Sequence, residues 1–122
     1  MGEIKRVLVA DDSDTVTTVL VTALELEGYE VETAMNGLEA YEKGLTGDYD
    51  LVILDQLMPG LLGIEVIDRW REEGRQISTI MLSGVDDDRI VVGSFESGAI
   101  DFIRKPFLLP ELLARVRQRL QS

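Results

Sequence analysis

Two apolar runs with no polar residue inside them, Val7-Leu8-Val9-Ala10 and Leu51-Val52-Ile53-Leu54, constrain this chain most. A strand with one face in water alternates apolar and polar residues. An unbroken run fits a strand covered on both faces, the situation in a parallel sheet flanked by helices. A shorter run, Ile80-Met81-Leu82, predicts a third such strand, and 30–34 and 101–104 read as two weaker ones.

The segments between these runs carry helical spacing. Val16, Val19, Leu20, Ala23 and Leu24 fall on one helix face. Ser13 or Asp14 can cap that helix, and Gly28 stands where a left-handed residue ends it. Gly44, Gly74 and Gly98 are expected to close the stretches beginning at Asn36, Gly63 and Asp86. A last helix near 109–120 starts with Pro110 in its first turn and turns Leu112, Leu113, Val116 and Leu120 inward. Strand and helix therefore alternate five times. Such alternation implies parallel pairing through right-handed crossovers, an α/β fold of three layers and doubly wound topology. With 122 residues and no linker or repeat, the whole of 1–122 reads as one domain.

Composition removes several function classes. There is no cysteine and no histidine, so thiolate chemistry, Cys-type zinc sites and imidazole bases are excluded. A formal charge of -11 disfavours direct binding to nucleic acid and to an anionic membrane. No apolar stretch approaches a membrane span and the first residues hold no signal core, so a cytoplasmic location is the expectation.

What remains is carboxylate, hydroxyl and amine chemistry, and it gathers in one pattern. The first run ends in Asp11-Asp12, the third strand in Asp55, the fourth in Ser83-Gly84 and the fifth in Lys105-Pro106. In an open parallel sheet all of these strand ends face one edge, the usual place for a ligand. Three crowded carboxylates repel one another unless a cation joins them, and oxygen ligands favour a hard ion such as Mg²⁺. Ser83 can donate to a phosphoryl oxygen, Gly84 can admit a close approach, and Lys105 can balance negative charge. An aspartate can also act as nucleophile in phosphoryl transfer.

Taken singly, most of these residues have duller explanations. Asp11 and Asp12 could be helix-cap and loop charges, Ser83 a turn residue, Lys105 a surface lysine, and Phe102 plain core. Asp86-Asp87-Asp88 reads as a solvated helix start, and Met58 and Met81 as packing. It is the set that is specific. Asp11-Asp12, Asp55 with Met58-Pro59, Ser83-Gly84, Phe102 and Lys105-Pro106-Phe107 resemble the motif set of receiver domains of two-component response regulators, the CheY-like superfamily.

That resemblance implies a flavodoxin-like (βα)5 fold with strand order 2-1-3-4-5. It implies that Asp55 accepts a phosphoryl group from a sensor histidine kinase or phosphotransfer protein. Asp11, Asp12, Asp55 and the backbone carbonyl of Leu57 would hold Mg²⁺ or Mn²⁺. Ser83 and Phe102 would switch inward on phosphorylation, Gly84 would lie against the phosphoryl group, and Lys105 would bridge to it. The Lys105-Pro106 bond would be cis. The face made by the fourth helix, fifth strand and last helix would engage an output domain or partner, with a homodimer as one option. Arg115, Arg119, Glu111 and Asp101 only partly match the charged dimer face of one transcription-factor subclass, and Val91 and Ser97 do not supply its charges.

Other positions depart from the commonest pattern. Leu57 and Val85, beside the expected path of a hydrolytic water, are apolar. Leu61-Leu62 sits in a loop that is often more polar, implying a contact surface or a locally buried loop. Val91, Val92 and Phe95 cannot all face inward. A phosphorylation-independent interaction module is the alternative reading. A true enzyme is disfavoured, because aspartate-nucleophile phosphatases want a second Asp where Leu57 stands and no Walker or Rossmann glycine loop follows the first strand. Any catalysis is expected to be limited to the domain's own phosphoryl transfer and dephosphorylation.

Overall fold

The computed structural model describes residues 3–85 and 87–121. Five strands and five helices alternate: β1 (Arg6–Ala10), α1 (Asp14–Leu26), β2 (Glu30–Ala34), α2 (Gly37–Thr46), β3 (Leu51–Asp55), α3 (Gly63–Glu72), β4 (Thr79–Ser83), α4 (Asp88–Ser97), β5 (Asp101–Arg104) and α5 (Leu109–Leu120). The strands form one sheet in the order β2-β1-β3-β4-β5. Every neighbouring pair is parallel, with Val7 opposite both Val31 and Leu51, Val52 opposite Thr79, and Ile80 opposite Asp101. This is the doubly wound flavodoxin-like fold, with the strand order that the resemblance implies.

The unbroken apolar runs now have a cause. Alternate residues of a strand point to opposite faces, and here each face has its own core. Val7, Val9, Leu51 and Ile53 pack with Leu20, Leu24, Leu112 and Val116 of α1 and α5. Leu8, Ala10, Val52 and Leu54 pack on the other side with Ala40, Val66, Ile67 and Trp70 of α2 and α3.

Most helix limits follow from the local chemistry expected of them. The Ser13 hydroxyl accepts the Val16 amide and Asn36 Oδ1 accepts the Glu39 amide. Gly28, Gly74 and Gly98 all take positive φ after α1, α3 and α4, where a side chain would be strained. Asp86, expected to open the fourth helix, lies outside the described residues. Asp87 is the cap there, its carboxylate accepting the Arg89 amide.

Two expectations need correction. Gly44 does not end α2, which runs on to Thr46 and closes at Gly47. A Cβ at Gly44 would fall 2.3 Å from Cζ2 of Trp70, so this glycine is a mid-helix notch for the indole. Val19 faces out of α1 instead of inward; Thr17 takes the buried place, its hydroxyl donating to the Asp11 carbonyl. The Leu61-Leu62 pair divides, Leu61 packing against the α2–α3 core and Leu62 lying exposed. On α4, the buried residues are Ser94 and Ser97, while Val92 and Phe95 are about half exposed. That helix is held with little apolar burial of its own.

Candidate functional site

Asp11, Asp55 and Ser83 stand at the carboxyl ends of neighbouring strands, and Lys105 follows the end of β5. Parallel pairing in this register brings them together although up to 94 residues separate Asp11 from Lys105. Asp11 and Asp55 are only 1% and 6% exposed, while Asp12 is open to solvent. One carboxylate oxygen from each of the three acids lies within 4.8 Å of the other two.

Lys105 Nζ reaches into this group, donating to Asp11 Oδ2 at 2.7 Å and to Asp55 Oδ2 at 3.4 Å. The two acids are not equally engaged. Asp11 also accepts the Ser13 amide on Oδ1 at 2.9 Å, so both its oxygens make short bonds. Among the described residues, the second oxygen of Asp55 receives only the Leu57 amide, at 3.4 Å. Asp55 is therefore the less committed carboxylate.

Electrostatics follow from this placement. Burial and the neighbouring Asp11 charge push the Asp55 carboxyl above its ordinary value, opposed by Lys105 and the Leu57 amide. Burial alone would lower the Lys105 ammonium, but its bonds to Asp11 and Asp55 outweigh that and raise it. A raised folded-state pKa at Asp55 means that protonation favours the fold. The stabilising effect is fully present below the unfolded carboxylate pKa and is lost as pH rises through the higher folded value. Asp55→Asn is accordingly expected to raise stability at pH 7 in chelator. Chemical denaturation should show the gap shrinking as pH falls into the carboxylate range; a variant no more stable than wild type at pH 7 contradicts this.

The remaining expected residues sort as follows. Ser83 is fully buried, and its hydroxyl accepts the Val85 amide at 3.1 Å without bonding to Asp55. Its carbonyl accepts the Lys105 amide, which ties the two strand ends. Among the described residues, a Cβ at Gly84 would meet nothing nearer than Lys105 Cβ at 3.8 Å. Phe102 is half-buried against the α2–α3 core, with the Arg104 guanidinium 5.9 Å from its ring centre. The Lys105-Pro106 peptide is cis. Leu57 is exposed and Val85 half-buried.

Sequence reasoning passed over Ser13, Thr17 and Gln56. Ser13 was legible as a cap, but not as the donor that orients Asp11. Gln56 directly follows Asp55 and is buried, its side chain accepting the Ile64 amide of α3 at 2.9 Å. A polar residue continuing a buried strand was the available signal.

Comparison with known proteins agrees with this geometry. The sequence model of the response regulator receiver domain matches residues 7–117. The chain belongs to that family. Among curated relatives, the receiver domain is 39% identical over 117 residues to the uncharacterized transcriptional regulatory protein YkoG of Bacillus subtilis, covering 96% of this chain and 51% of that protein. It is 40% identical over 116 residues to the transcriptional regulatory protein ResD of the same organism, covering 95% and 48%. The receiver domain thus spans about half the length of these relatives. Among solved structures, the Francisella response regulator 1452 receiver domain superposes with a TM-score of 0.89 at 32% identity, over 94% of this chain and 95% of that one. Response regulator protein TrrA of Thermotoga maritima, in complex with Mg²⁺-BeF, gives 0.85 at 38% identity, over 96% and 100%. Receiver domains are regulatory parts of two-component systems. No helix among the described residues is long and apolar enough to cross a membrane.

Proposed function

We propose that this receiver domain accepts a phosphoryl group on Asp55 from a histidine kinase or phosphotransfer protein, in a Mg²⁺-dependent reaction, and so switches an output domain or partner. The observation that carries this reading is the grouping of Asp11, Asp12, Asp55 and Lys105 at one sheet edge, with Asp55 the less engaged of the two buried acids.

Three converging carboxylate oxygens, two of them nearly buried, are a donor set suited to a hard divalent ion. Asp11, Asp12, Asp55 and the Leu57 carbonyl would hold Mg²⁺, and Mn²⁺ could take its place. The ion would neutralise charge on the phosphoryl oxygens. A carboxylate oxygen of Asp55 attacks phosphorus as the N–P bond of a phosphohistidine breaks, and the imidazole leaves with the bonding pair. Lys105, already within reach of Asp55, turns its ammonium to the new phosphoryl oxygens. Ser83 can donate its hydroxyl proton to that group while still accepting the Val85 amide. Phe102 then moves inward behind Ser83. Because α4 is held by two small serines with little apolar burial, it is the element most easily displaced. The α4–β5–α5 face, with Val92 and Phe95 exposed, is where an output domain, a partner or a second copy would sense the change.

Titration with Mg²⁺ and beryllofluoride, a phosphoryl mimic, tests the reading by amide NMR. Shifts are expected at 83–85, 102–105 and along α4, and not in Asp55→Asn. A wild-type spectrum that does not respond would favour the phosphorylation-independent interaction module. Phosphate lifetime offers a separate test. Leu57 and Val85 cannot orient a water, so Leu57→Asn with Val85→Glu should shorten the lifetime by about tenfold or more. An unchanged decay rate would show that these positions do not govern hydrolysis.

A further inference from the structure

The loop that leaves Asp55 is clamped at its base by one residue. The Gln56 carbonyl accepts the Gly63 amide at 2.9 Å, and its side-chain oxygen accepts the next amide, Ile64, also at 2.9 Å. These are the first two residues of α3. The helix needs such an acceptor, because its own N-cap position is Leu62, whose side chain makes no cap hydrogen bond. Gly63 also packs hard against the acid: a Cβ there would lie 2.6 Å from the Asp55 carbonyl oxygen and 3.0 Å from Gln56 Cα. Gln56 is 2% exposed, and in the chain it stands between the acid and the loop residue Leu57.

From this arrangement we infer that Gln56 is a positioning residue for the acidic site. By holding both ends of the 57–62 loop to α3, it fixes the direction of Leu57, whose amide bonds to Asp55 and whose carbonyl is a proposed metal ligand. Gln56 would therefore set metal affinity through Leu57 without touching the ion. The inference rests on the proposed Mg²⁺ site.

A helix cap and a loop clamp can be separated, because α3 can be capped from a second place. Gln56→Met keeps the volume and loses the acceptor. Leu62→Ser, at an exposed N-cap position, restores an acceptor for the α3 amides without restoring the side-chain tie from residue 56. Mg²⁺ dissociation constants measured by NMR titration, urea denaturation and exchange of the Ile64 amide would be compared in wild type, Gln56→Met and the double variant. Expected for Gln56→Met is about a tenfold weaker Mg²⁺ affinity, the low end for residues that orient metal ligands, with faster Ile64 exchange. In the double variant, stability should recover while Mg²⁺ affinity stays weak. Unchanged affinity in Gln56→Met, or affinity that returns with the new cap, would overturn the inference. Failure of the wild type to bind Mg²⁺ at all would instead sink the metal site on which it rests.

Discussion

Lys105→Met is expected to cost about 2–4 kcal/mol of folding stability in metal-free buffer, near the cost of removing one partner from a buried ion pair. Methionine keeps the length of the stem and removes the ammonium. That leaves Asp11, which is almost fully buried, with no cation on Oδ2, and returns two like charges to one sheet edge. The effect is opposite in sign to that of Asp55→Asn, which relieves the same repulsion from the other side. Two further consequences separate electrostatics from lost packing. The variant should recover stability as pH falls and a carboxylate takes up a proton. It should also regain much of its loss in millimolar Mg²⁺, because a divalent ion replaces the missing charge and binding to the folded state alone stabilises it. Urea denaturation with chelator and with Mg²⁺ decides the point. A loss that is equal in both buffers would mean that Lys105 acts by packing and that the acids do not share a cation.

The second large effect concerns the identity of the phosphoacceptor. Asp11, Asp12 and Asp55 are close enough to exchange roles on distance alone. Their surroundings distinguish them. Asp11 spends one oxygen on the Ser13 amide and the other on Lys105, both at short distance. Asp12 is solvated, where a carboxylate is a weak nucleophile shielded by water. Asp55 is buried, has two long hydrogen bonds, and is held above its ordinary pKa by burial and by Asp11. These surroundings favour Asp55 as the proposed acceptor: the acyl phosphate carries more negative charge than the carboxylate, and Lys105 stands within reach to offset it. Substitution at Asp55 should therefore abolish phosphoryl incorporation outright, without a residual level carried by Asp11.

Much of this arrangement was legible from residue order alone. Apolar runs at 7–10, 51–54 and 80–82 could be read as doubly covered strands, because each face of the sheet has its own helices. The acids were legible for the same reason: a parallel sheet puts all its strand ends on one edge. What one sequence could not show was packing between distant elements. Gly44 looked like a helix stop because nothing local reveals the Trp70 ring that needs its space. Val19 fits the apolar spacing of α1, yet Thr17 takes the inward place by bonding to the Asp11 carbonyl. Gln56 was passed over because its partners, Gly63 and Ile64, lie across a loop. Nor could spacing tell which acids Lys105 would pair with, since that depends on how the ends of distant strands are placed side by side.

The most direct test of the central claim is intact-mass spectrometry after incubation with Mg²⁺ and a small phosphodonor such as acetyl phosphate. The wild type is predicted to gain the mass of one phosphoryl group, and the gain should vanish in chelator and in Asp55→Asn. No gain in the folded wild-type protein, or a gain that persists in Asp55→Asn, would contradict the assignment of Asp55 as the phosphoacceptor.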